Sequence, residues 1–200
     1  EFDGPFVKQV TCGGKTLLSQ PTRLMIDTGN GKQPVTFFPG KIIEQRKDYV
    51  VFEGHGKVSN IKVNYHNTVW FDGFSRVEFN LGPEGAKVKS MCLSYTVKPE
   101  FAKYMANPLP EEFKKDGNFF DWSGLSHRDF SQLWLMGKVN GYCWVPENEG
   151  NWVYPQNTKP IGLTKDAKGA KVQLKIIDKP VILPRGVKYA FGCSATPTRP

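Results

Sequence analysis

Alternating apolar and polar positions recur along most of the chain, and a period of two is typical of β-strands with one buried face. Clear examples lie at residues 68–81, 87–97 and 170–177. Each places large apolar residues on one face and mainly charged or small polar residues on the other. The turn Pro83-Glu84-Gly85 joins the first two stretches, and we therefore predict that they pair as a long antiparallel hairpin.

Shorter apolar runs predict further strands between glycine-rich turns. We interpret Gly54-His55-Gly56 as a separator between two of them. In residues 57–65 the parity changes, because Val58 does not share the face of Ile61 and Val63. A bulge or a late start of the strand accounts for this change. The additional strands are predicted at residues 5–12, 22–26, 42–46, 48–53, 57–65 and 187–194.

Aromatic residues are concentrated between residues 129 and 152, where three of the five tryptophans stand. The apolar runs 133–136 and 142–145 flank a segment with glycine at both ends, residues 137–141. This pattern predicts strand, turn and strand. Alternation sends the Tyr and Trp of the second strand to one face and its Cys and Val to the other.

Residues 99–106 carry a pattern that favours a helix. Phe101, Tyr104 and Met105 follow i, i+3, i+4 spacing, and Pro99 suits the first helical turn. Residues 107–130 contain proline, glycine and several aromatics without a clear period. We predict a long ordered loop there, which could border a site.

These elements together predict the fold class. About a dozen strands, one short helix and no strand-helix-strand repetition indicate an all-β fold. We predict two packed antiparallel sheets, a β-sandwich of the jelly-roll or supersandwich-like kind. The length of 200 residues suits a single domain over residues 1–200.

Composition limits the partners. The formal net charge is +8, which favours an acidic partner through long-range attraction. The lysines are dispersed, without a basic block or a nucleic-acid motif, so no nucleic-acid partner is expected. No apolar run is long enough to span a bilayer, and no membrane partner is expected either. The start, Glu1-Phe2, is typical of a mature or excised fragment.

Metal and cofactor chemistry find little support in the sequence. The histidines lack the spacing of metal ligands, and the glycine-rich turns lack the phosphate-binding motifs, so neither a metal nor a cofactor is expected. The cysteines form no Cys-x-x-Cys pair. Three complete disulfide pairings are open, although free thiols are favoured. The cysteines are Cys12, Cys92, Cys143 and Cys193.

Aromatic residues in loop-like surroundings are candidates for carbohydrate binding. An exposed ring stacks on the apolar face of a sugar, while amides and carboxylates bind its hydroxyl groups. Trp122, Trp152 and Tyr154, with Asn151 and Glu149, form the predicted carbohydrate site. Packing in the core or in a loop would explain the same aromatic residues equally well.

Carboxylates could instead support glycoside hydrolysis, which needs two of them a few ångströms apart. Glu147 and Glu149 are close in sequence, and Asp72 follows Trp70-Phe71. Two solvated acids in a loop, and a turn-capping Asp72, are the ordinary interpretations. No catalytic residue is assigned from these patterns.

Several segments, taken in order, carry a resemblance to a known family. They are Trp70-Phe71-Asp72-Gly73-Phe74-Ser75-Arg76, Lys98-Pro99-Glu100-Phe101-Ala102-Lys103-Tyr104, Trp134-Leu135, Gly141-Tyr142-Cys143-Trp144, Glu149-Gly150-Asn151-Trp152 and residues 191–200. They resemble the amino-terminal β-sandwich region of large bacterial glycoside-hydrolase-like proteins, the group related to glycoside hydrolase family 123. The resemblance covers about residues 65–200, and only a compatible β-pattern precedes it.

The resemblance implies a β-sandwich followed by a (β/α)-barrel, with residues 195–200 near the junction. In that family the catalytic acid pair belongs to the barrel and the acetamido group of the substrate assists, so none of its catalytic residues has a counterpart here. We therefore expect a non-catalytic accessory domain of a secreted or periplasmic bacterial glycoside hydrolase. Its expected partners are carbohydrate, including acidic polysaccharide, and the barrel of the same chain. An autonomous jelly-roll glycosidase or polysaccharide lyase, and a structural module without ligand, are the alternatives.

Overall fold

The structure is a computed structural model that describes residues 1–106, 110–112, 133–148, 150–156 and 160–197. Nearly all of its regular structure is β-strand, and a single 3₁₀ turn, Pro99–Phe101, stands among the described residues. The strands are β1 (Phe2–Asp3), β2 (Phe6–Val7), β3 (Thr11–Cys12), β4 (Lys15–Thr16), β5 (Leu18–Asp27), β6 (Lys32–Pro34), β7 (Thr36–Phe37), β8 (Lys41–Gln45), β9 (Tyr49–Val58), β10 (Ile61–Trp70), β11 (Ser75–Gly82), β12 (Lys87–Val88), β13 (Ser90–Val97), β14 (Tyr104–Ala106), β15 (Pro110–Glu112), β16 (Leu133–Met136), β17 (Gly141–Pro146), β18 (Ile161–Asp166), β19 (Gly169–Ile177), β20 (Val181–Ile182) and β21 (Lys188–Thr196).

Two large antiparallel sheets organise these strands. The ten-stranded sheet has the order β15-β14-β16-β17-β21-β11-β10-β9-β7, and β8 also pairs with β9. The five-stranded sheet has the order β18-β19-β13-β5-β6. Three two-stranded pairs, β1-β2, β3-β4 and β12-β20, complete the pattern. The predicted all-β antiparallel fold class is therefore confirmed.

Both sheets contribute their apolar faces to one hydrophobic cluster. Val77 and Phe79 of β11 belong to it together with Leu93 and Tyr95 of β13. The rings of Tyr95 and Tyr142 meet edge to face at 5.3 Å, across the space between the two sheets. Such a shared core is what the predicted sandwich requires, because a sheet with one apolar face must bury it against another layer.

The predicted hairpin of residues 68–81 with 87–97 is wrong. β11 pairs with β10 and β21, whereas β13 pairs with β5 and β19 in the other sheet. Alternation correctly placed Val77, Phe79 and Leu81 on a buried face. It could not show that the chain changes sheets after Gly82, because one buried face serves a hairpin and a sheet crossing equally well.

The predicted helix over residues 99–106 is also wrong. Only the 3₁₀ turn forms at its start, and Tyr104–Ala106 is a strand that pairs with Leu133–Met136. Lys103 joins this pairing by donating its backbone N–H to the Met136 carbonyl at 2.9 Å. Helical spacing of three apolar residues is a weak preference, which the distant partner strand overrides.

Strand β9 runs through Gly54-His55-Gly56, which was predicted to separate two strands. The neighbouring turn lies at Ser59-Asn60, where Ser59 has a φ of 51°, and β10 starts at Ile61. The change of parity at Val58 therefore reflects the late start of a strand rather than a bulge. The predicted run 68–81 likewise contains a turn, since β10 ends at Trp70 and β11 begins at Ser75.

The hairpin of the tryptophan-rich segment is confirmed: β16 pairs with β17, with Trp134 opposite Cys143. All four cysteines are free. Burial raises the pKa of the Cys143 thiol to about 12. The part of the chain that the structure describes contains no helical segment with the length and hydrophobicity needed to cross a bilayer.

Candidate functional site

An aromatic groove of about 360 Å³ lies at the end of the β9-β10 pair. It opens between two turns, residues 46–48 and residues 71–74, which follow β8 and β10. Aromatic rings and charged side chains share its lining. The lining residues are Phe2, Arg46, Lys47, Asp48, Tyr49, Val50, Phe52, Val69, Trp70 and Phe71, which together define the aromatic groove.

The floor of the aromatic groove continues the apolar face of the ten-stranded sheet. Val69 has the same parity as the buried Val63, and it pairs with Val50 of β9. Phe52 extends this floor and lies 6.5 Å from Phe2, measured between ring centroids. The floor therefore consists of Phe2, Val50, Phe52 and Val69. All four side chains are partly exposed, so this end of the apolar face is incompletely covered.

The rim of the groove is held by backbone and turn contacts. Tyr49 and Trp70 are directly opposite each other in the β9-β10 register. The Phe71 N–H donates to the Asp48 carbonyl at 2.9 Å and thereby ties the two turns together. The Asp72 carboxylate accepts a hydrogen bond from the Phe74 N–H at 2.9 Å. This is the turn-capping interaction that is the ordinary interpretation of an aspartate in such a turn. Phe71 is left 61% exposed, with its ring available at the rim.

Charge on the rim is mixed. Arg46 Nε and the Tyr49 hydroxyl both donate to Glu44 Oε1 at 2.9 Å. The hydrogen bond from Arg46, followed by that from Tyr49, lowers the pKa of the Glu44 carboxyl. Lys47 is exposed and forms no ion pair with any described residue. The rim thus offers a free ammonium group beside Asp48 and an aromatic ring.

This arrangement has the chemistry of a carbohydrate site. Apolar ring faces of sugars stack on aromatic side chains, and charged or amide groups bind the hydroxyls around the ring. The sequence predicted this combination near Trp152 instead. Trp70-Phe71-Asp72-Gly73 carried part of the resemblance and a candidate acid, Asp72, but was not predicted as a carbohydrate site. The sequence did not predict that Arg46, Lys47 and Tyr49 line a groove with Trp70 and Phe71, because the pairing of β8, β9 and β10 brings these distant segments together.

The predicted carbohydrate site is partly outside the described residues, since Trp122 and Glu149 fall there. Trp152 is only 9% exposed, and its ring lies 6.3 Å from those of both Trp144 and Phe191, inside the hydrophobic cluster. Tyr154 is half-buried and packs against the same cluster. Asn151 is exposed and donates its side-chain N–H to the Lys188 carbonyl at 2.8 Å. Trp152 and Tyr154 thus both contact the hydrophobic cluster, and their role in carbohydrate binding stays a prediction.

Glu147, Glu149 and Asp72 were the basis of the enzymatic alternative, and of these Glu147 lies beside Glu78 of β11. Arg76 donates through Nε and Nη2 to Glu147 Oε2, at 3.1 and 2.7 Å. It also reaches Glu78 Oε2 at 3.4 Å, and Lys188 donates to the other Glu78 oxygen at 3.2 Å. Partial burial would raise the pKa of Glu78, but Lys188 and Arg76 lower it overall. A glycosidase acid needs a raised pKa instead.

Comparison with known proteins gives a family match. The family model described as glycoside hydrolase 123, third domain, matches residues 4–159. The match includes the N-terminal part, where only a compatible β-pattern was recognised, and it ends before residues 191–200. The description places the domain third, whereas an amino-terminal position before a barrel was expected; the order of domains stays a prediction. No curated protein matches the chain.

Two solved structures are similar at low identity. One is titled "Putative kojibiose phosphorylase from human microbiome"; it is 10% identical with a TM-score of 0.41, over 98% of this chain and 26% of that one. This chain thus spans about a quarter of the length of that protein. The other is titled "Crystal Structure Analysis of HI1317"; it is 11% identical with a TM-score of 0.42, over 94% of this chain and 91% of that one.

Proposed function

Because the chain belongs to the third-domain family of glycoside hydrolase 123, we propose that it is a non-catalytic accessory domain that holds carbohydrate for a glycoside hydrolase. The observation that carries the carbohydrate part is the aromatic groove, where exposed Phe71 and half-buried Trp70 stand beside Lys47 and Asp48. Glycan binding requires this pairing of ring faces with polar groups.

The ligand that fits the groove best is an acidic polysaccharide. Arg46 is paired with Glu44, whereas Lys47 has no ion pair with a described residue and offers its charge at the rim. The net charge of +8 adds a long-range attraction for polyanions. The predicted site around Trp152 is less suited to stacking because that ring is buried, whereas Asn151 remains exposed and could contribute a polar contact.

The catalytic residues would then belong to another domain of the same protein, as the resemblance implies for the barrel. Glu147 and Glu78 support this assignment, because cations engage both carboxylates. A polysaccharide ligand also favours a secreted or periplasmic bacterial protein, since such polymers lie outside the cytoplasm. A structural module that only packs on the barrel is the second candidate, favoured by the partly uncovered apolar floor of the groove.

A screen of the purified chain on neutral and acidic polysaccharides tests the proposal. Retention in affinity electrophoresis and release of reducing ends are measured on the same panel. Retention without cleavage supports an accessory binding domain. Cleavage would contradict the non-catalytic assignment, and absence of both would contradict carbohydrate binding and favour the structural module.

A further inference from the structure

A second depression, of about 430 Å³, lies beside β9 at the gap between β7 and β8. We call it the Tyr65 pocket. Its polar lining comes from neighbouring strands, because the β9-β10 register sets Glu53 opposite His66 and His55 opposite Asn64. The polar residues that line it are Lys41, Glu53, His55, Asn64, Tyr65 and His66. It shares none of these with the aromatic groove.

Tyr65 is the unusual member of this lining. The residue as a whole is only 3% exposed, but its side chain lines the pocket, and its hydroxyl is not among the fully buried polar atoms and forms no hydrogen bond to any described residue. Burial, and then the charge of Asp3, raise the pKa of this phenol, so it stays protonated and can donate. A hydroxyl that opens onto a pocket without a protein partner is able to bond a ligand that enters the pocket.

Two glycines leave the Tyr65 hydroxyl uncovered. A Cβ at Gly54 would lie 2.5 Å from this oxygen, and a Cβ at Gly40 would lie 2.6 Å from it. Neither glycine has a positive φ, so the backbone does not demand glycine at these positions. Close approach of the tyrosine is the reason that remains for both of them.

The charged side chains of the pocket are paired with one another, because Lys41 and His66 both contact the Glu53 carboxylate. Lys41 Nζ lies 2.8 Å from Glu53 Oε1, and His66 Nε2 lies 3.4 Å from Glu53 Oε2. The side-chain N–H of Asn64 donates to Asn80, which leaves the Asn64 carbonyl oxygen as an acceptor. Among the described residues, no group of His, Cys, Asp and Glu is arranged to hold a metal ion. The pocket thus suits an uncharged ligand with several hydroxyl groups.

We propose that the Tyr65 pocket binds one neutral sugar residue, with the Tyr65 hydroxyl bonded to a ring hydroxyl. Glu53, Asn64 and the two histidines provide further acceptors and donors for the same ring. Pro39, the apolar side chain in the lining, supplies a hydrophobic contact beside them. This proposal rests on carbohydrate being the ligand class of the proposed function, but it concerns a separate site and a neutral ligand.

The test titrates the isotope-labelled chain with glucose, galactose and N-acetylglucosamine, and with glucuronate as a charged comparison. Backbone amide shifts are followed at about 10 mM sugar, where a ligand with a Kd of about 1 mM is close to saturation. Shifts centred on residues 53–55 and 64–66 with a neutral sugar are expected. Absence of saturable shifts there with every neutral sugar, or tighter binding of glucuronate, would overturn the proposal.

Tyr65→Phe removes only the hydroxyl, and that group has no partner to lose within the protein. We expect Kd for the neutral sugar to rise about tenfold, the effect of a lost hydrogen bond of ordinary strength. Tyr189→Phe, at another buried tyrosine of the same sheet, is the matched control and should leave Kd unchanged. Equal loss in both variants, or no loss in Tyr65→Phe, would contradict the assignment. Phe71→Ala in the aromatic groove should spare this binding, which separates failure of one site from failure of the other.

Discussion

Gly54 lies directly opposite Tyr65 in the pairing of β9 with β10, and the tyrosine ring crosses the place where a Gly54 side chain would stand. Glycine at this position thus allows β9 to continue while the tyrosine ring passes over it. Gly56 similarly faces Phe37 and Val35, so close approach of side chains explains both glycines of residues 54–56, which look like a strand break in the sequence and are part of a strand in the structure.

Gly54→Ala should destabilise the fold by about 1–3 kcal/mol, the usual cost of overpacking. The added Cβ would meet the Tyr65 hydroxyl at 2.5 Å and its ring at 2.6 Å. Urea unfolding measures the difference. Gly162→Ala is the matched control, because a Cβ there meets nothing closer than 3.9 Å. Equal stability of Gly54→Ala and wild type would show that Tyr65 does not occupy this place.

Trp152→Ala should lower the free energy of unfolding by about 3–5 kcal/mol, as expected when a large aromatic side chain leaves a core. The reason is its contact with Trp144 and Phe191 in the hydrophobic cluster. Phe71→Ala, at an exposed ring, should change stability by no more than about 0.5 kcal/mol. Thermal and urea unfolding of the two variants would reveal the difference. A Trp152→Ala protein as stable as wild type would show that the Trp152 ring is exposed and does not pack in the hydrophobic cluster.

Stability should fall in alkaline solution as Cys143 titrates. Burial raises the pKa of its thiol from an ordinary value near 9 to about 12. The stabilisation is complete below pH 9, where the thiol is protonated in both states, and is lost as pH rises towards 12 because only the unfolded chain ionises. The slope contributed by this group is up to about 1.4 kcal/mol per pH unit.

Cys143→Ala should flatten this slope, measured by urea unfolding at several pH values above 9. Tyr189, whose pKa burial raises to about 12, adds a second loss that begins near pH 10, so some slope persists in the variant. An unchanged slope in Cys143→Ala would show that the thiol does not remain protonated in the fold.

Lys47→Glu should weaken retention on an acidic polysaccharide by about two- to fivefold at low salt, the scale of one exposed charge pair. The ammonium group of Lys47 stands at the rim of the aromatic groove without an ion pair to any described residue. Added salt should shrink the difference between variant and wild type, because exposed charges are screened. Lys138→Glu, in the turn between β16 and β17, is the control. Equal effects of the two substitutions would indicate attraction by net charge alone.

Much of the fold could be predicted from local pattern. The parity of Val77, Phe79 and Leu81 gave the buried face of β11, and the glycines around residues 137–141 gave the tryptophan hairpin. The partners of strands could not be predicted in the same way. β11 and β13 are close in sequence but lie in different sheets, because alternation records which face is buried and not which strand lies beside it.

The candidate site was harder to predict for the same reason. The aromatic groove joins residues 46–48 to residues 70–71 through the β8-β9-β10 pairing, a relationship without a local sequence signal. For Trp152, the local sequence suggested a site residue, but a distant contact buries the ring. Its loop-like surroundings suggested exposure, but Phe191, 39 positions later in the chain, packs against its ring.

The most direct test of the central claim compares Phe71→Ala with Val139→Ala for binding to the polysaccharide that retains the wild-type chain best. Both side chains are exposed, 61% and 74% respectively, but only Phe71 lines the aromatic groove. The dissociation constant is measured by titration calorimetry, with unfolding curves to verify that both variants are folded. We predict about a tenfold increase in Kd for Phe71→Ala, within the range for loss of a stacking ring, and no change for Val139→Ala. Unchanged affinity in a folded Phe71→Ala protein would contradict carbohydrate binding at this groove.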